Sequence, residues 1–328
     1  MAKHIEIPGQ LGIDPATGRL VGEKFEAQTA QALENIALRI KEKGRRVDDI
    51  VAIDVYRTSK IPQGYERYHN AGNRIHANRL YDCFLRPYGG FLRKYLSQDN
   101  LNYRPARTFV EVDVLPSMKK GEYLPFTKTS PRVEIVARAI IKSNKEYHQP
   151  IELEEGVSSP EKYTPHGVVV DLGSRLYVET SGQLGREPFP SFENMRRGFL
   201  DQPAQAFLNI KSILDSIGGE LADVTDLRIY TTEDEIPGIP GIESLIKTRL
   251  KSRTHPYGLA NRDLVQVIRV VDIPKRIVGV WNGPKVREGE VREHFVSDTD
   301  PAWVSISARA MILKKDIRRR EKEIEDSY

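Results

Sequence analysis

Val110, Val112 and Val114 alternate with Glu111 and Asp113, a period of two that predicts a strand with one buried face. Pro105 and Pro116 bracket the run, since neither can give a ladder N–H inside a central strand. Elsewhere the apolar period lengthens to that of a helix. Leu33, Ile36, Ala37 and Ile40 share one face of a helix that stops at Gly44. Phe207, Ile210, Leu214 and Ile217 share one face of a second that stops at Gly218. Apolar strands follow both, over 49–58 and 223–232.

These matched pairs belong to a longer repeat. Pro8-Gly9-Gln10-Leu11-Gly12 returns 173 residues later as Ser181-Gly182-Gln183-Leu184-Gly185. Gln28-Thr29-Ala30-Gln31-Ala32-Leu33-Glu34-Asn35-Ile36 returns at an offset of 174 as Gln202-Pro203-Ala204-Gln205-Ala206-Phe207-Leu208-Asn209-Ile210. Arg107-Thr108-Phe109-Val110-Glu111-Val112 corresponds to Arg262-Asp263-Leu264-Val265-Gln266-Val267, and Val133–Ala139 to Val304–Ala310. Five blocks in order describe a tandem duplication. Each unit reads strand, helix, strand, helix, strand, strand, with second helices expected over 90–96 and 242–250. The fold class is therefore α+β: two tandem units, each a mixed sheet with two helices packed on one face. The first unit spans 1–145, a linker 146–165, and the second unit 166–328 with a charged tail that reads as a solvated helix. The second unit opens with a hairpin over 167–178. The first unit lacks the leading strand of that hairpin and carries an insertion over about 60–88.

Composition narrows the class of molecule. At 328 residues the chain is long enough for two cores. Fifty Lys and Arg against 46 Asp and Glu leave a net charge of only +4, spread along the chain, so a nucleic-acid partner is not expected. A single Cys83 excludes an internal disulfide framework, and no apolar run approaches a membrane span, so a cytoplasmic protein is expected.

With the blocks laid out, each half resembles the RidA (YjgF/YER057c/UK114) family of enamine and imine deaminases. The pieces that carry the resemblance are Gly9-Gln10 before Pro15-Ala16-Thr17-Gly18, the Gln28–Ile36 block, Pro105-Ala106-Arg107-x-x-Val110-Glu111-Val112 running to Leu115-Pro116, and Val133-Glu134-Ile135. The resemblance implies a small chorismate-mutase-like α+β unit that trimerises, with ligand clefts between units and no cofactor or metal. It implies that Arg107, with Gly9 and Thr108 beside it, holds a substrate carboxylate, and that Glu134 handles the proton or places the water. In the second unit these positions become Gly182, Arg262 and Ser305, with His166 where the family has a tyrosine. That second site reads as degenerate. For a chain of two unlike units the simplest assembly is a homotrimer of two stacked rings, one of first units and one of second units.

The residue types suit the chemistry. A guanidinium fork holds a carboxylate in two hydrogen bonds, and a carboxylate flanked by apolar residues, as Glu134 is by Val133 and Ile135, suits a raised pKa. The insertion holds Tyr65, His69, Arg74, His76, Arg79 and Tyr81, a donor-rich stretch that reads either as a lid over the pocket or as an oligomer contact. No paired-histidine, nucleophile-elbow or P-loop motif competes. The expected function is hydrolytic deamination of a small carboxylate-bearing enamine or imine, a 2-aminoacrylate-type metabolite or an aminomuconate-type ring-cleavage product, with the insertion favouring the larger. The alternatives are a chorismatase-like or other hydrolase on the same scaffold, and a non-catalytic ligand binder or ribonuclease.

Overall fold

The two Gln-x-x-Gln-Ala-x-x-Asn blocks repeat because each ties a helix to the strand before it. In the first unit, Asn35 donates to the carbonyls of Leu11 (3.0 Å) and Ile13 (2.8 Å), and Gln31 donates to Asn35 (2.9 Å). In the second, Asn209 donates to the Leu184 carbonyl (3.1 Å) and Gln205 to Asn209 (3.0 Å). The glycine of each block lets the helix come close. A Cβ at Gly12 would stand 2.5 Å from the Gln28 Cα, and one at Gly185 would stand 2.4 Å from the Gln202 Cα. Both helices end as the sequence predicts, with Gly44 and Gly218 at φ +67° and +74°.

These contacts are seen in a computed structural model that describes residues 3–58, 75–96, 103–112, 115–118, 130–141, 148–153, 164–185, 201–232, 265–269 and 304–326. The first sheet comprises β1 (Lys3–Leu11), β4 (Ile50–Thr58), β5 (Ala106–Val112) and β6 (Val133–Ile141), in the order β1-β6-β4-β5. A short hairpin, β2 (Ile13–Asp14) with β3 (Arg19–Leu20), stands apart. The second sheet comprises β7 (Gln149–Ile151), β8 (Gly167–Asp171), β9 (Arg175–Thr180), β10 (Gln183–Leu184), β11 (Val224–Thr231), β12 (Val265–Arg269) and β13 (Val304–Leu313). Its path β9-β13-β11-β12 repeats the first sheet strand for strand, antiparallel except for the last, parallel pair in each. The same four-strand order thus occurs twice along the chain. Helix α1 (Phe25–Glu42) and helix α2 (Ile75–Tyr95) belong to the first unit; α3 (Asp201–Asp215) and α4 (Lys314–Glu325) belong to the second.

Three expectations are corrected. Helix α2 is 21 residues long, not the seven expected, because its apolar face continues upstream through Phe84, Tyr88, Phe91 and Leu92, all buried. It passes through Pro87, and it takes up the C-terminal part of the insertion. Residues 149–151, expected in the linker, pair with β8 and add a further strand to the second sheet. The charged tail is a helix, as expected, but one face is docked. Ile317 packs against Gly218, while Arg320 bonds the Gly218 carbonyl (2.7 Å), Asp223 (3.1 Å) and Glu220 (2.9 Å). The second helix expected over 242–250 lies outside the described residues.

The two sheets meet face to face, and positions related by the repeat meet each other. Tyr56 and Tyr230 have their hydroxyls 3.4 Å apart, His4 lies against Tyr177, and Asp54 accepts from Arg228 (2.6 Å). Arg138 of the first unit, 1% exposed, bonds Asp54 on one side and Glu179 of the second unit (3.0 Å) on the other; Arg309 also bonds Glu179 (3.1 Å). Burial alone would push the Asp54 and Glu179 carboxyls up. The Arg138 guanidinium, helped by Arg228 and Arg309, outweighs it and holds both below the usual carboxylate range.

Removing Arg138 leaves two buried carboxylates short of their cation. Arg138→Ala is expected to cost about 3–5 kcal/mol in urea unfolding. The pH dependence has a definite sign. Carboxyls depressed in the folded state stabilise it fully above their unfolded value of about 4, and that contribution drains away as pH falls through the folded values. The unfolding midpoint should therefore drop steeply below about pH 4, and less steeply in Asp54→Asn, where one of the two titrating groups is gone.

Candidate functional site

Strand β5 lies at the edge of the first sheet, and its backbone is sewn to the second unit. The Arg107 N–H donates to Ser181 Oγ (3.0 Å), and the Gly182 N–H donates to the Arg107 carbonyl (3.0 Å). Arg107 pairs with Ile53 on β4, so its side chain points to the helix-covered face. There Phe84 and Tyr88, one turn apart on α2, stack on each other at 5.3 Å and 19°. The Arg107 guanidinium carbon stands 5.1 Å from each ring centre, and a guanidinium nitrogen donates to Thr164 of the second unit. Phe109, two residues on and on the same face, meets Phe84 edge to face. Arg107 is 4% exposed, and burial pushes its pKa down to about 9.

Thr108, on the other face of β5, looks toward the second unit. A Cβ at Gly182 would stand 2.7 Å from Ser305 Oγ and 3.2 Å from Thr108 Cγ2. Gly182, Ser305 and Thr108 therefore form one close-packed group on the face of β5 opposite the Arg107 side chain, with two hydroxyls and no carboxylate among them. The same place in the first unit is built with an acid: a Cβ at Gly9 would fall 1.6 Å from Glu134 Oε1.

Arg107 and Glu134, expected to share one hollow, are not brought together. On β4, Glu134 pairs with Tyr56 and Arg107 with Ile53, three residues apart, and an odd separation puts the two side chains on opposite faces of the first sheet. Shared motif membership does not give shared direction; the register does. Glu134 looks to the face that meets the second unit, where its Oε2 accepts from the Ser117 N–H (2.9 Å) and Ser117 Oγ (2.8 Å). Burial raises the Glu134 pKa, and the two Ser117 bonds pull it part of the way back.

His166, expected at the cleft wall, has its Nδ1 engaged by the Leu153 N–H (3.1 Å), while its carbonyl accepts from Ser181 (2.9 Å). It holds the start of the second unit in place behind Ser181. His76, Arg79 and Tyr81 fall on the N-terminal part of α2. Tyr65, His69, Arg74 and Arg262 lie outside the described residues. Five partners of the site were missed from sequence, Thr164 among them. Phe84 and Tyr88 carried the signal of a pair four apart inside the insertion, and Ser181 that of a serine where the other copy has Pro8. Ser117 follows a proline and gave no signal at all.

Known proteins share this chain's features at two levels. Residues 1–122 match the family described as Endoribonuclease L-PSP. A RutC family protein of Saccharolobus solfataricus is 32% identical over 110 residues, which are 34% of this chain and 67% of the relative. A RutC family protein of Aquifex aeolicus is 40% identical over 67 residues, 19% of this chain and 53% of that relative. For one from Pyrococcus abyssi, 38% identical, the match spans only 44% of its length. Among solved structures, a chorismatase aligns over 94% of this chain and 74% of its own, at a TM-score of 0.52 and 12% identity, a likeness of fold that takes in both units. A RidA from an Antarctic Psychrobacter aligns over 50% of this chain and 98% of its own, at a TM-score of 0.33 and 22% identity.

Ser117 is testable by titration. Ser117→Ala removes the hydroxyl bond to ionised Glu134 and keeps the backbone one, so the Glu134 pKa should rise further. Carbon-13 NMR of the labelled carboxyl reads the change, and an unmoved titration would mean that the hydroxyl does not hold the charge.

Proposed function

From its place in the RidA (YjgF, RutC) family, to which this chain belongs, we propose that it is a hydrolytic deaminase of small carboxylate-bearing enamines or imines. The observation that carries the reading is the buried guanidinium of Arg107 at the junction of the two units. A guanidinium in dry surroundings attracts a carboxylate more strongly than one in water. In a 2-aminoacrylate-type substrate the enamine first tautomerises to the imine. Water then adds to the C=N carbon, and the carbinolamine expels ammonia to leave a 2-oxo acid. This sequence asks for a held carboxylate and a placed water more than for a strong acid or base.

The hydroxyls of Ser305 and Thr108 flank Gly182 on the face of β5 opposite the Arg107 guanidinium, so they do not share its surroundings. Nor does Glu134, which looks to the other face of its sheet. The aromatic end of the insertion packs on the guanidinium, which favours a small acid over a bulky ring-cleavage product. A second reading, a carboxylate binder without turnover, is favoured by one observation: Ser305 stands where the first unit has an acid.

Ammonia release from an enamine generated in the assay separates the two readings. Arg107→Ala should lower kcat/KM by about 100-fold or more, as expected for loss of a charged two-bond clamp. Glu134→Gln should leave Arg107-dependent turnover within about threefold. A collapse of activity in Glu134→Gln would sink this assignment of roles, and ligand binding with no ammonia would establish the binder.

The pH profile adds an independent check. Only the charged form of Arg107 clamps a carboxylate, so affinity for a 2-oxo acid should hold below about pH 9 and fall above it, by about tenfold per pH unit at first. Calorimetry across that range reads it directly.

A further inference from the structure

Ser117 and Glu134 meet on the far side of the first sheet from the Arg107 side chain, and the deamination scheme uses neither. Ser117 is exposed, in a turn after β5 that the Met118 N–H closes on the Leu115 carbonyl (2.9 Å). Its Oγ donates to Glu134 Oε2 (2.8 Å), and its N–H reaches the same oxygen (2.9 Å). The other carboxyl oxygen is fixed by fit. Gly9 sits where the β1–β6 ladder shifts register, and Oε1 fills the space a side chain there would need, 1.6 Å from the Cβ position. Glu134 is 2% exposed, and burial makes its carboxylate a stronger base than one in water. A serine whose proton is directed at a carboxylate turns its lone pairs away from the acid, here toward solvent. That is the pairing of a nucleophile with its base. The second unit has Ser305 in place of the acid, so the pair is a property of the first unit.

We propose that Ser117 and Glu134 form a second catalytic site, a serine nucleophile with a carboxylate base, that acts on small acyl esters. Ser117 Oγ adds to the ester carbonyl carbon while its proton passes to Glu134 Oε2. The C–O bond to the alcohol then breaks, and the alcohol leaves with the proton that Glu134 held. Water next adds to the acyl-serine carbon and gives its proton to Glu134. Ser117 regains that proton as the carboxylic acid departs. Neither step needs a further reactant, and the proposal stands apart from the deaminase reading.

The test treats the full chain with a fluorophosphonate ester, which modifies serines that have a base at hand, and locates the modified residue by peptide mass spectrometry. Ser117 should be modified while Ser174, exposed in the turn between β8 and β9, is not. Glu134→Gln keeps the shape and removes the base, and should slow the reaction by about 100-fold while melting close to the parent. With p-nitrophenyl acetate the parent should give an acylation burst that Ser117→Ala, a change at the surface, abolishes; this decides the matter should the Glu134 variant melt early. An unmodified Ser117, or equal modification of Ser117 and Ser174, would overturn the proposal. So would a parent-like rate in Glu134→Gln or a burst that survives Ser117→Ala.

Discussion

A guanidinium almost wholly shut off from water, that of Arg138, reaches a carboxylate of its own unit and one of the other. Buried charges survive only when they are paired and hydrogen-bonded, so this contact admits few relative placements of the two sheets. Each unit has helices on its outer face and a sheet whose inner face must be covered. The pairing of Arg138 with Asp54 and Glu179 sets which part of one inner face lies against which part of the other. The edge of β5 then arrives at Ser181 and Gly182, and the surroundings of Arg107 follow from that arrival. A change that let the sheets slide would take these surroundings apart without touching any residue in them.

The repeated strand order makes the seam electrostatically complementary. Asp54 and Arg228 occupy the same position in the two copies, and they meet. Had the copies remained identical, the residue at this position would have faced its own kind, acid against acid or base against base, a costly arrangement in a buried place. Covalent linkage of two genetically separate copies permits one to carry the acid and the other the base. The site diverged along the same line. Beside its glycine the first unit keeps Glu134 and the second has Ser305, so the two equivalent places are chemically different here. Within one chain the backbone of Arg107 meets Ser181 and Gly182 of the second unit.

How much was legible in the sequence differs sharply between scaffold and site. Apolar periodicity placed α1, α3 and most strands, and the repeat showed that whatever one unit did the other would do. These signals are local, and they survive because each glycine and amide in the repeated blocks has a fixed backbone partner. The length of α2 was hidden by the polar residues of the insertion, which masked an apolar face carried by Phe84 and Tyr88. The strand at 149–151 was hidden by its brevity and by Pro150, which an edge strand tolerates. The pairing of Arg107 with Glu134 was the misleading expectation. Direction within a sheet depends on the register between strands distant in sequence, and no spacing along the chain reports it.

The burial of Arg107 also changes what its exposure at a strand mouth would have meant. A solvated arginine pays a carboxylate ligand little, because water competes for both partners. The rings of Phe84 and Tyr88 and the hydroxyl of Thr164 replace that water with fixed groups before any ligand arrives, so the cost of drying the guanidinium is met during folding. The depressed pKa of Arg107 is the trace of that cost. Folding energy gathered at the Arg138 seam is thus what holds Arg107 dry at the junction, and the two buried arginines belong to a single arrangement of the two sheets.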